Sequence, residues 1–146
     1  APVHQAVQLS DFQKEIINNG GIVFGRLHLT VNFYVKHTYA ETESELSKFR
    51  SSKYVQSDMG TTFTEVKQQL DNGKFVMFTG TPCQVEGLQN YLRKPYDNLF
   101  TIDFVCRAVP SPLVWEKYRE FMEKNSVLKL HMQTFAKKPT DTIVQI

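Results

Sequence analysis

Two cysteines carry most of the reactive chemistry in this sequence, and their placement says more than either does alone. Cys83 follows the run Phe75-Val76-Met77-Phe78 and the turn Thr79-Gly80-Thr81-Pro82, and Cys106 follows Leu99 to Val105. The first run is apolar without alternation, as in a strand buried on both faces, and the second is read as the next buried strand. If the two strands are parallel neighbours, both cysteines reach one sheet edge, where open α/β sheets bind their ligands. Neighbouring strands lie only ~5 Å apart, so the sulfurs can share a site. Cys83 also takes the second helical position after a Thr81 cap, where free N–H groups and the helix dipole favour negative charge. Such a sulfur suits a metal or cluster ligand, a redox thiol, or a neighbour of a flavin or phosphate. The alternative is that both cysteines are small buried residues. With no CxxC, two thiols exclude a self-sufficient four-thiolate zinc site or iron–sulfur cluster, and also a disulfide scaffold.

Other residues qualify less sharply. The Thr79-Gly80-Thr81-Pro82 turn offers close backbone approach and helix-start donors to an anion, yet most such turns merely connect. The stretch from Ser51 to Gly60 gathers Ser52, Lys53, Tyr54, Gln56 and Ser57, a set that can line a cofactor or form an ordinary solvated loop. His4, His28, His37 and His131 show no HxxxH or HxH spacing and read as surface or core histidines. Asp103 falls inside a predicted buried strand, where it either hydrogen-bonds structurally or reaches the shared edge.

The chain has 146 residues, of which 41% are hydrophobic and 22% charged, enough for one domain with a real core. The net charge of +2 offers no field for gripping a polyanion, so nucleic acid is not expected. No apolar run approaches the ~18 residues of a membrane span, and no secretory signal is visible, so a cytoplasmic location is expected. The opening Ala1 suggests a processed or excised piece. Aromatic residues make up 12%, a density that suits a packed core or a planar ligand.

The elements that must position these residues follow from period and caps. A helix is predicted over Leu9 to Asn19, with Ser10 as cap, Phe12, Ile16 and Ile17 on one face, and Gly20-Gly21 as the stop. Strands are predicted over Ile22 to Leu29 and Val31 to Tyr39, joined near Thr30. Capping boxes at Thr42-x-x-Glu45 and Thr62-x-x-Glu65 open two helices, the second with Phe63, Val66 and Leu70 inward. Lys74 to Phe78 is a strand. Thr81, Pro82 and Gln84 start a helix whose buried stripe is Val85, Leu88, Tyr91 and Leu92. Leu99 to Val105 is a strand. Ser111-Pro112 starts a helix with Val114, Tyr118, Phe121 and Met122 inward. Two β-like runs, Val127 to Phe135 and Thr142 to Ile146, close the chain. The expected fold is α/β: a mixed, partly parallel sheet with a central βαβα unit, flanked by helices and antiparallel edge strands.

At four ordered motifs the sequence resembles the coenzyme F420 hydrogenase/dehydrogenase beta subunit family. They are Gly20-Gly21-Ile22-Val23-Phe24-Gly25, Ser52-Lys53-Tyr54-Val55-Gln56-Ser57-Asp58-Met59-Gly60, Thr79-Gly80-Thr81-Pro82-Cys83-Gln84, and Asp103-Phe104-Val105-Cys106 with Val109-Pro110-Ser111-Pro112. The resemblance runs from about Gly20 to Phe121. It implies an oxidoreductase that moves electrons between FAD, 4Fe-4S clusters and a substrate such as coenzyme F420, together with other oxidoreductase subunits or domains; a homodimer is left open. It implies that Ser52, Lys53, Tyr54, Gln56 and Ser57, with Thr79, Gly80, Thr81, Pro82, Cys83 and Gln84, approach the flavin. Cys83 and Cys106 would be cluster ligands or sit beside the cluster. The family's glycine-rich element is replaced by Val3-His4-Gln5-Ala6-Val7, its CHG appears as Cys106-Arg107-Ala108, and its flanking cysteines are missing. The chain therefore reads as a single domain, residues 1–146, from a longer oxidoreductase subunit, with both cofactors absent or incomplete in it. The other reading is a non-catalytic structural or partner-binding remnant.

Overall fold

The computed structural model describes residues 9–28, 34–50, 53 and 55–124. In chain order these form α1 (Leu9–Asn18), β1 (Ile22–His28), β2 (Val35–Ala40), a 3-10 helix (Glu43–Phe49), α2 (Thr62–Asp71), β3 (Val76–Gly80), α3 (Pro82–Leu92), β4 (Leu99–Asp103) and α4 (Pro112–Lys124). The sheet order among them is β2-β1-β3-β4. β1 pairs antiparallel with β2 and parallel with β3, and β3 pairs parallel with β4. The α/β class, the mixed sheet and the βαβα centre are those the pattern calls for. The two closing β-like runs, and the connection near Thr30, lie outside the described residues.

β3 is buried at all five positions, and its neighbours sort by face. Ile22, Phe24, Val76 and Phe78 point to one side, where Val66 and Leu70 of α2 and Leu88 and Leu92 of α3 cover them. Val23 and Met77 point to the other, against Leu46 of the 3-10 helix and Leu9, Ile16 and Ile17 of α1. Successive strand residues face opposite ways, so an unbroken apolar run needs helices on both sides.

The Gly20-Gly21 pair ends α1 through two separate constraints. Gly21 N–H donates to Ile16 O and Gly20 N–H to Ile17 O, each at 2.9 Å, the paired bonds of a Schellman stop. Gly20 has φ +77°, which favours glycine. Gly21 is pressed between α1 and the segment before β3: a Cβ there would lie 2.8 Å from both Ile16 O and Phe75 O.

Several expectations shift. The cap of α2 is Thr61, whose Oγ1 donates to Glu65 at 2.6 Å, while Thr62 is buried inside the helix. β3 starts at Val76 and includes Thr79 and Gly80, because register with β4 carries the ladder to Gly80↔Asp103; Phe75 lies before it and is exposed. β4 stops at Asp103 and is only partly covered, since among the described residues nothing pairs with its outer edge. Asp103 at its end and Val105 past it are exposed. Tyr91 is exposed, its ring tilted against Phe63. Val114, Tyr118 and Phe121 of α4 are exposed too, although their spacing predicts an inward face. Periodicity reports that a face is apolar, not which surface covers it.

Phe78 and Phe100 offer a direct test of this layering, being 0% and 38% exposed. Phe78→Ala should cost about 3–5 kcal/mol in urea denaturation, the range for a fully buried ring, and Phe100→Ala clearly less. Equal losses would contradict the two-sided burial of β3.

Candidate functional site

The chemistry-bearing residues gather at the C-terminal edge of the parallel strands. Arg26 lies toward the end of β1, β3 leads into Thr81-Pro82-Cys83, and β4 leads into Phe104-Val105-Cys106. Phe104 N–H donates to Gly80 O at 2.9 Å, which ties the last two segments together. Cys83 and Cys106 therefore stand at the same edge, and both are exposed rather than buried. Cys83 Sγ lies 3.2 Å from Thr81 Oγ1. Thr81 caps α3 with Gln84 as expected, Gln84 Oε1 accepting from Thr81 N–H at 3.0 Å.

A cleft of about 190 Å³ opens here, lined by Arg26, Lys53, Thr81, Phe104, Cys106 and Arg107 among others. Lys53 is the most enclosed cation. It is 7% exposed, and its Nζ donates to Phe49 O at 2.6 Å and Arg50 O at 2.7 Å. Burial, with the Arg26 charge adding to it, pushes the Lys53 amine down to about 8. The Arg26 guanidinium lies 5.1 Å from the centre of the Phe104 ring, and burial lowers its pKa from the ordinary value. A larger groove of about 690 Å³, along Gln89 to Tyr96, sits at the other end of α3, away from both cysteines.

Behind the cleft runs a buried chain of hydrogen bonds. His37 Nε2 lies 3.0 Å from Thr79 O. A carbonyl can only accept, so Nε2 carries the proton and Nδ1 accepts from the Ser57 hydroxyl at 2.8 Å. Ser57 Oγ in turn accepts from Gln84 Nε2 at 2.9 Å. Thr79 Oγ1 donates to Phe24 O at 3.0 Å. The imidazole also stacks on Phe78, centroids 5.4 Å apart. One network thus joins β1, β2, β3, the 53–58 segment and the start of α3, and every polar atom named in it is paired.

Of the residues expected at a cofactor, Thr79, Thr81, Ser57 and Gln84 come together in this network and hold the turn's shape. Lys53 lines the cleft, while Gln56, Pro82 and Cys83 are exposed. Ser52 and Tyr54 lie outside the described residues. The 53–58 segment is not a solvated loop: Lys53, Val55 and Ser57 are all buried, and Asp58 bonds to β2 through His37 N–H and Val35 O. Its alternation is hidden in the sequence because two of the three inward residues are polar. Reading by composition passes over Arg26 entirely and leaves His37 an ordinary histidine. The available signals are an arginine within an apolar strand and a histidine two residues from buried Val35.

The fold and edge define an α/β protein whose reactive side chains lie past the ends of parallel strands. Residues 73–145, half of the chain, match the family model for the C terminus of the coenzyme F420 hydrogenase/dehydrogenase beta subunit. The chain belongs to that family. The matched part begins just before β3 and takes in α3, β4 and α4. A comparison with curated proteins gives no match. Among the described residues no three His, Cys, Asp or Glu side chains gather to hold a metal ion, and no helix is long and apolar enough to cross a membrane.

His37 supplies a pH test. Burial lowers its pKa from 6.5 to about 4, the Thr79 carbonyl opposing and Arg26 reinforcing the shift. Between those values the unfolded chain binds a proton that the folded chain refuses. Stability should therefore fall as pH drops from about 6.5 to 4, by about 3 kcal/mol in total. Urea titrations of the parent and of His37→Gln across that range check this: the variant, though weaker overall, should lose most of that slope. An unchanged slope would remove His37 as its source.

Proposed function

We propose that this chain is a redox domain of a flavin- and iron–sulfur-dependent oxidoreductase, working with other subunits or domains on a substrate such as coenzyme F420. The observation that carries the reading is the joining of the Thr79–Gln84 turn to the Asp103–Cys106 segment at one sheet edge, through Gly80 O and Phe104 N–H. Family membership supports the oxidoreductase class. A flavin would supply acceptance of an electron pair and its release one electron at a time.

The donor set of the edge fits part of this chemistry. Lys53, Thr81 and the exposed positions Pro82 and Cys83 would hold the flavin, with Thr79, Ser57 and Gln84 fixing the turn beneath it. A 4Fe-4S cluster does not fit on this chain's side chains alone. Cys83 and Cys106 are the two thiols in the sequence, and four thiolates hold such a cluster. They fit as part of a ligand set completed by another segment or another protein.

A partner-binding role without redox chemistry is the second reading, and α4 favours it. Leu113, Val114, Tyr118 and Phe121 are 49% to 64% exposed, a contiguous apolar face of the kind that marks an interaction surface.

Anaerobic incubation with FAD followed by gel filtration separates the two. The redox reading expects a yellow protein whose flavin is lost or weakened in Lys53→Met. A colourless protein after loading would leave only the partner-binding reading. Anaerobic reconstitution with iron and sulfide should leave the isolated chain well short of about four irons, for want of thiolates. A stable four-iron product would show that other side chains complete the set.

A further inference from the structure

We propose that the cleft lined by Arg26, Lys53 and Arg107 is a binding site for a phosphate-class dianion. Three cations converge on a small space at the ends of β1 and β4. The ion pairs of Lys48, Lys67, Lys74 and Lys117 all lie elsewhere, and the described lining of the cleft contains no Asp or Glu. Among the described residues, therefore, no carboxylate neutralises the cleft. Lys53 is nearly sealed from water, and its acceptors are two neutral carbonyls, which leaves one of three ammonium donors unused. Arg26 lies against the face of Phe104 with the Cys106 thiol, not a carboxylate, as the acidic group acting on it, and its charge acts unfavourably on Lys53. Like charges brought together out of water are costly unless an anion joins them.

The chemistry of the missing partner follows from the lining. A guanidinium fork and an ammonium on one space suit a tetrahedral oxyanion better than a single carboxylate, since two or more cations share its charge. The cleft, of about 190 Å³, has room for a phosphate group, and its open mouth leaves space for whatever that phosphate is attached to. Thr81 at the start of α3 brings a hydroxyl to the same wall. The ligand can be free inorganic phosphate or the phosphate portion of a larger cofactor. In the second case the inference rests on the flavin reading and extends it by naming which part of the cofactor sits here.

The test uses the full chain at low salt with inorganic phosphate, sulfate, riboflavin, FMN and FAD as probes. Binding is followed by calorimetry, and occupancy by protection of the exposed Arg107 from phenylglyoxal, read by peptide mass spectrometry. Phosphate and sulfate should bind and should slow modification at Arg107. Removing one cation of the cleft should weaken them about tenfold or more in Lys53→Met, and severalfold in Arg107→Ala. Arg107 is exposed, so its variant keeps the fold even if Lys53→Met does not. No binding of either anion, or binding unmoved by Arg107→Ala and by Lys53→Met where that variant folds, overturns the proposal. The flavin probes separate the two ideas. FMN and FAD binding tighter than riboflavin, with the excess lost in Arg107→Ala, supports a cofactor phosphate. Phosphate binding with no flavin binding upholds the anion site and rejects the flavin reading. FAD binding that is weakened in Lys53→Met but unmoved by Arg107→Ala, without phosphate binding, rejects the anion site and leaves the flavin reading standing.

Discussion

Strand β3 has no side open to water, and the rest of the molecule is arranged by that constraint. Val76, Met77 and Phe78 are fully buried and alternate between two helical layers. A strand in that position must be fed from below and left from above without exposing its backbone groups. The Gly20-Gly21 stop lets α1 pass closely beneath it, with Ile22 N–H donating to Phe75 O. At its other end the Thr81–Gln84 cap takes the chain directly into α3. The reactive edge is therefore a by-product of burying one apolar run: its geometry is set by the strand that cannot move.

Polar groups are admitted to this core on one condition, that each finds a partner. His37, Ser57, Gln84 and Thr79 meet it through a chain with a fixed direction, from amide to hydroxyl to imidazole to carbonyl. A neutral imidazole suits the chain because it donates on one side and accepts on the other. The network tethers the 53–58 segment to the sheet, and that segment carries Lys53 to the cleft. Structural and site residues are thus continuous. Ser57 and Gln84 shape the place where a ligand would sit, while Lys53 and Arg26 face it.

The cleft departs from the same rule. Lys53 is buried there beside Arg26 with no carboxylate among the described lining residues, which is a poor arrangement for stability alone. Sites that bind charged ligands carry such imbalances, because the ligand completes the pairing. The exposed apolar face of α4 is a second imbalance of another kind, in surface rather than charge.

Local signals in the sequence were enough for the elements around the centre. The Thr81-Pro82-x-Gln84 box, the Gly20-Gly21 stop and the unbroken β3 run each act within a few residues, so they are legible without a partner in view. The shared edge for Cys83 and Cys106 followed too, because parallel strands joined by a helix must end on the same side. Tertiary structure alone decided the rest. The burial of Lys53 and Ser57 depends on acceptors and donors that other segments bring to them, and no local period announces them. Arg26 became a site residue only when β1 was placed beside β3, bringing it to a cleft completed by residues 53 and 104 to 107. Which faces of β4 and α4 are covered was likewise unreadable, since an amphipathic pattern records a need for cover and the neighbour that meets it is chosen by the fold.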